Sequence, residues 1–210
     1  MPRIDFEAVE RPNFTRPGLL RHPTIPKPMS GMAPRIVMGQ EWWDVVRREA
    51  YAKNNMRCWA CGGEGPLEAH EAYDIDHYNT RMTYLETVAL CRDCHRFIHI
   101  GRTIGLFARG RISHSAAKRA TLHGYDVLKA AGLKCPWETR VIGAEGLPWR
   151  EVREFFGARV APDWILKVIR WCDPVPEIPM TVWEDWRLVF NGEEYPPLYK
   201  SAEEYTRRFS

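Results

Sequence analysis

The sequence predicts an α+β fold organised around a small metal-bound core. Three observations carry that expectation. Two Cys-x-x-Cys pairs, Cys58/Cys61 and Cys91/Cys94, bracket one segment of the chain. Two short apolar runs between them read as strands, and a helical pattern follows the second pair. His95 and His99 open that helical pattern four residues apart. The order is strand, loop, strand, knuckle, helix.

The elements follow in turn. Residues 1–39 are rich in proline (Pro2, Pro12, Pro17, Pro23, Pro26, Pro28, Pro34) and in arginine. Proline fixes its own φ and biases its predecessor away from helix, so an extended arm is expected, wrapped on the domain or partly disordered. Its basic residues suit a phosphate backbone, and a packing arm accounts for them equally. Trp42, Val45, Val46, Glu49 and Ala50 recur at helical spacing, predicting a helix from near Gln40 to about Asn54. A strand is expected from Pro66 to Ala72, ending near His70, then a loop through Asp74, Asp76, Asn79 and Arg81. Tyr84 to Leu90 forms the returning strand. A helix runs from Asp93 through His99 towards Leu106. Residues 113–132 read as helix and stop at Gly132. A short helix is expected at Pro148 to Phe156, where Pro148 suits the first helical position; residues 163–173 fit strand or helix. Trp186 to Tyr195 reads as a hairpin on an Asn191-Gly192 type I′ turn, and Ala202 to Phe209 as a final helical turn or two. The implied division is an arm (1–39), a metal core (40–110) and a helical and β-hairpin accessory region (111–210).

Composition bounds the function classes. The chain has 210 residues and a net charge of +3, enough for one domain with appendages or two small ones. A mildly basic balance permits nucleic-acid binding without arguing for it. No apolar run approaches the ~18 residues of a membrane span. The start, Met1-Pro2-Arg3-Ile4-Asp5, has no apolar signal-peptide core, so a cytoplasmic protein is expected. In that compartment paired knuckles read as metal ligands rather than disulfides. Cys135 and Cys172 stand alone and read as unpaired structural thiols.

Zinc prefers tetrahedral thiolates in a closed structural site, and each Cys-x-x-Cys turn presents two of them. Cys58, Cys61, Cys91 and Cys94 are therefore expected to hold a structural Zn²⁺. His95 and His99, at i and i+4, share one helical face at a separation one cation bridges, although the same spacing also arises on solvated helices. His70, at a strand end beside that helix, completes a second, more open ligand group. Asp74-x-Asp76-His77 is a further acidic and histidine cluster, able to add a ligand or a base and also ordinary for a solvated loop.

Cys58-x-x-Cys61, Leu67-Glu68-Ala69-His70-Glu71 and Leu90-Cys91-Arg92-Asp93-Cys94-His95-x-x-x-His99 together resemble the HNH endonuclease (ββα-metal) motif. They are similar to small HNH proteins of phages and bacteria that read Leu-Glu-x-His-Glu and end Ala-Leu-Cys-x-x-Cys-His-x-x-x-His. The resemblance covers residues 58–101. It implies a zinc-stabilised ββα-metal core and hydrolysis of phosphodiester bonds in DNA. A catalytic divalent ion (Mg²⁺, Mn²⁺ or Zn²⁺) would be held by His70, His95 and His99. A general base on the strand would activate water. Two positions depart from the pattern: Glu71 stands where double-histidine members place their base, and Glu86 stands where the central asparagine falls. Either Glu71 is the base, or His70 is the base and Glu71 joins the helix histidines on the ion. The alternative is a decayed HNH or zinc-ribbon protein that binds nucleic acid or a partner without cutting. A phage or host protein partner for the arm and the C-terminal third is a further expectation, with a bacterial host cell as location.

Overall fold

The computed structural model describes residues 13–134, apart from Thr24, and 181–209. The expected helix at Pro148 to Phe156, the ambiguous stretch 163–173, and Cys135 and Cys172 lie outside the described residues.

Among the described residues nine α-helices and strands follow in order: α1 (Pro34–Lys53), β1 (Leu67–Asp76), β2 (Arg81–Cys91), α2 (Arg92–Ile98), α3 (Ile100–Ala108), α4 (His114–Ala130), β3 (Arg187–Phe190), β4 (Glu193–Tyr195) and α5 (Ala202–Phe209). The fold is α+β, with one mixed four-stranded sheet in the order β1-β2-β3-β4. β1 and β2 form a long antiparallel hairpin, from Leu67 opposite Cys91 to Asp76 opposite Arg81. β3 joins β2 in parallel, and β4 returns antiparallel. Among the described residues no helix is long and apolar enough to cross a membrane.

Several elements differ from the sequence expectation. The described residues between 13 and 33 follow the wrapped form of the expected arm, but as turns rather than an extended chain. They form 3₁₀ turns at Pro17–Arg21 and Lys27–Met29, and Leu20 and Met29 are fully buried. The Asn54 amide clamps this segment, accepting from Phe14 N at 2.9 Å and donating to Phe14 O at 3.0 Å. α1 begins at Pro34, which suits the first helical turn because its missing N–H has no partner there. A left-handed Gly39 (φ +82°) interrupts it, and the regular stretch beyond matches the helix expected from Gln40. β1 continues through the acidic stretch read as a loop, because Met82 and Thr83 pair with Ile75 and Asp74. The register shifts between Ala72 and Tyr73, where Leu85 of β2 is the extra residue. β1 is buried from His70 to Tyr73, with Ala72 and Tyr73 in different core clusters, which hides the period-two pattern. Only residues 77–80 turn. The expected single helix from Asp93 to Leu106 is two, broken at His99 (φ −93°, ψ 43°).

The hairpin around Asn191-Gly192 has positive φ at both central residues (52° and 80°), as a type I′ turn requires. It extends the sheet of the core: Trp186, Leu188 and Phe190 bury with Met82 and Met29 on one side of the molecule. A second cluster, of Trp59, Val88, Leu90, Phe97 and Leu128, lies under the knuckles. Apolar burial at about 25 cal/mol per Å² makes these clusters the main support of both hairpins. β2 contributes to both, so it fixes the platform on which the site is built.

Candidate metal centres

The first knuckle is shaped by backbone bonds. Cys58 N donates to Gly63 O at 2.9 Å, and Gly62 N donates to Cys58 O at 2.8 Å. Gly62 has φ +73°, and a Cβ there would stand 2.9 Å from Thr15 Cγ2. The conformation and the close approach both ask for glycine. Trp59 N donates to Ala89 O at 2.8 Å, which fastens this turn to β2. The second knuckle leaves the end of β2, where Cys91 caps α2 and accepts from Cys94 N at 3.5 Å.

The four sulfurs lie within 4.8 Å of one another. Cys61 and Cys91 Sγ are 3.9 Å apart, close to the ~3.8 Å edge of a tetrahedron with 2.3 Å Zn–S bonds. Cys58 and Cys94 are buried, and the other two are half-buried. Cys58 accepts from the other three thiols and is held far below the usual thiol range, while Cys94 is pushed far above it. Thiols this close contend for protons, and a cation resolves the contest by accepting all four as thiolates. The site fits a metal such as zinc.

The second group joins three elements. His70 comes from β1, His95 from α2, and His99 stands at the break between α2 and α3. One nitrogen from each lies within 4.8 Å of the others. Ring centroids are 5.3 Å (His70–His95), 5.0 Å (His70–His99) and 4.9 Å (His95–His99) apart. His70 is 6% exposed, and its Nε2 is buried with no hydrogen-bond partner. A buried ring nitrogen left unpaired carries a desolvation cost that a cation at that point removes. Burial, and then the neighbouring His22, holds His70 well below the usual histidine range. Burial holds His99 at about 4. Both rings are therefore neutral near pH 7, the form that binds metal. This group too fits a metal such as zinc.

Glu68 supplies the outer contact. Its Oε2 stands 2.6 Å from His95 Nδ1. A carboxylate here fixes the proton on Nδ1 and leaves Nε2 as the ligand atom, the usual arrangement around metal-bound histidine. Burial opposes the ionised form of Glu68, but His95 and Arg92 outweigh it and hold its carboxyl below the ordinary value.

Glu71 lines the same cavity, of about 410 Å³, as the three histidines, Arg35 and Arg102. It is 8% exposed, and its Oε1 lies 3.5 Å from Arg35 Nε without a hydrogen bond. Burial raises its pKa, and the Arg35 charge partly offsets that.

Other residues singled out from the sequence lie elsewhere. Glu86 forms an ion pair with Arg16 at 2.6 Å. Asp76 shapes the β1–β2 turn, accepting from Tyr78 N at 2.9 Å and Asn79 N at 3.0 Å, and His77 packs on Trp186. Asp74 is exposed. None of the four joins the histidine group.

Three contributors were not visible as site residues in the sequence. Glu68 stands two residues before His70, so strand alternation places both on one face; that spacing is the signal. His22 comes from the N-terminal segment, accepts from Tyr73 N at 3.1 Å, and packs its ring 4.8 Å from His70. His123 comes from α4, and its Nε2 lies 3.3 Å from Cys94 Sγ. Neither has a local motif, since each arrives through tertiary packing. No family model, curated protein or solved structure matches the chain.

Proposed function

We propose that the protein is an HNH-type endonuclease that hydrolyses phosphodiester bonds of DNA with a divalent metal ion. One observation carries the reading: His70, His95 and His99 converge on one cavity that also holds Glu71, Arg35 and Arg102, beside a four-thiol group. The motif resemblance supplies the reaction class. The Cys₄ group would hold structural zinc and brace the ββα unit formed by β1, β2 and α2. The histidine group would hold Mg²⁺, Mn²⁺ or Zn²⁺.

An ion bound by these histidines supplies a Lewis acid for the phosphate and charge for the departing 3′-oxygen. The chain does the rest. Glu71 takes the proton of the attacking water at Oε1, which carries no hydrogen bond. His70 serves as ligand, and Glu68 orients His95. Arg35 and Arg102 draw the phosphate into the cavity and balance its charge.

A second reading has its own support. Glu71 replaces the family's histidine base, and Glu86, at the asparagine position, is paired with Arg16. A non-cutting nucleic-acid or partner-binding protein fits those substitutions, and it predicts salt-dependent DNA binding.

The test is plasmid cleavage in Mg²⁺ or Mn²⁺. The wild type cuts. His95→Ala abolishes cutting, and Glu71→Gln slows it by about 10²–10⁴-fold, the range for losing a general base. Binding without divalent-dependent cutting by the wild type selects the second reading. Equal cutting by wild type and His95→Ala removes the histidine group from the chemistry.

A further inference from the structure

His123 lies on α4, outside both ligand groups. Its Nε2 stands 3.3 Å from Cys94 Sγ and 3.9 Å from Cys91 Sγ. Metal-bound thiolates carry no proton and only accept hydrogen bonds. An imidazole in this position must therefore donate. We propose that His123 is a positioning residue for the metal-loaded thiolate site: it donates Nε2–H to Cys94 Sγ, with Cys91 Sγ as the more distant acceptor.

The chemistry asks for such a donor. Four thiolates around one divalent ion leave a net charge of −2, in a group half-walled by apolar side chains. Each N–H aimed at a sulfur spreads that charge and lowers the sulfur's pull on protons and oxidants. Backbone contacts of this kind include Gly63 N to Cys61 Sγ at 3.4 Å and Cys94 N to Cys91 Sγ at 3.5 Å. His123 is the side-chain donor, and its closer acceptor, Cys94, is buried.

The geometry of α4 explains how the contact is held. Arg119 and His123, at i and i+4, share one face. Arg119 Nε meets Asp93 Oδ2 at 2.8 Å, so α4 grips the first turn of α2 at two points. At the next residue, Gly124, Phe97 of α2 comes closer than any side chain on α4 would allow. A histidine delivered by one helix thus reaches sulfurs delivered by another, and His95 rides on the same helix as Cys94.

The experiment loads full-length protein with one equivalent of Zn²⁺ and follows its transfer to a chromogenic chelator. His123→Ala is expected to release zinc about 10–100-fold faster, the usual effect of losing an outer contact to a metal ligand. His123→Gln, which keeps an N–H donor, recovers most of the difference. Arg119→Ala, which loosens the grip on α2 but keeps the imidazole donor, accelerates release less than His123→Ala. The Co²⁺-loaded wild type and His123→Ala show the same four-sulfur charge-transfer and d–d bands, because His123 is not a ligand. Equal release by wild type and His123→Ala overturns the assignment. So does equal acceleration by Arg119→Ala, which reduces the effect to helix docking, and so does a loss of coordination in the cobalt spectrum. A wild type that takes up no zinc also overturns it. If His123→Ala does not fold, His123→Gln against His123→Leu gives the same comparison.

Discussion

Glu68 and His95 meet at 2.6 Å, and this contact selects the imidazole nitrogen left for a metal. The carboxylate bonds His95 and is not itself one of the three histidine ligands, so removing it should loosen an ion without removing a ligand. Glu68→Ala is expected to weaken Mn²⁺ binding about 10–100-fold in protein whose thiol site is already filled with zinc. Isothermal titration calorimetry reads the affinity, and an unchanged Kd would mean that His95 orients itself. The four cysteines and His95/His99 were legible in the sequence because metal ligation demands residue types at fixed local spacing. Glu68 was half legible through its strand spacing to His70. His22 and His123 were not legible: each is a single histidine whose meaning comes from a partner far along the chain.

At the scale of elements, α2 carries Cys94 and His95, and α4 packs closely against it. The two helices approach so closely that a Cβ on Gly124 would stand 2.1 Å from Phe97 Cγ. Phe97 is fully buried and has no room to retreat. Gly124→Ala improves intrinsic helix propensity, yet overpacking wins here and should cost about 1–3 kcal/mol. Thermal unfolding of the zinc-loaded protein reads this as a fall in Tm, and a stabilised variant would show that the helices separate freely. Helix positions and the type I′ turn were legible because periodicity and turn chemistry are local. The break at His99 was not, since apolar spacing carries on through it. The true length of β1 was hidden by its polar second half and by the bulge at Ala72/Tyr73, where pairing to β2 overrides residue preference.

For the whole molecule, the least legible feature is the parallel pairing of β3 with β2, which joins Arg81–Thr83 to Arg187–Val189. Local pattern announces two hairpins but says nothing about which strands of the two will meet. The pairing is secured by Trp186 and Leu188, both fully buried with Met82. Through β2 the hairpin then supports the platform that carries Cys91 and leads into α2. The N-terminal segment packs on the same platform, with His22 against His70 and Met29 fully buried in the cluster of Trp186 and Leu188. One scaffold therefore presents two groups that could each hold a metal ion, four thiols near the knuckle and three histidines facing a cavity. Native mass spectrometry of the protein titrated with Zn²⁺ tests that claim most directly. The wild type should bind two ions and His99→Ala only the tighter one, with its fold retained. One ion in both proteins, or loss of both ions in His99→Ala, would contradict two independent centres.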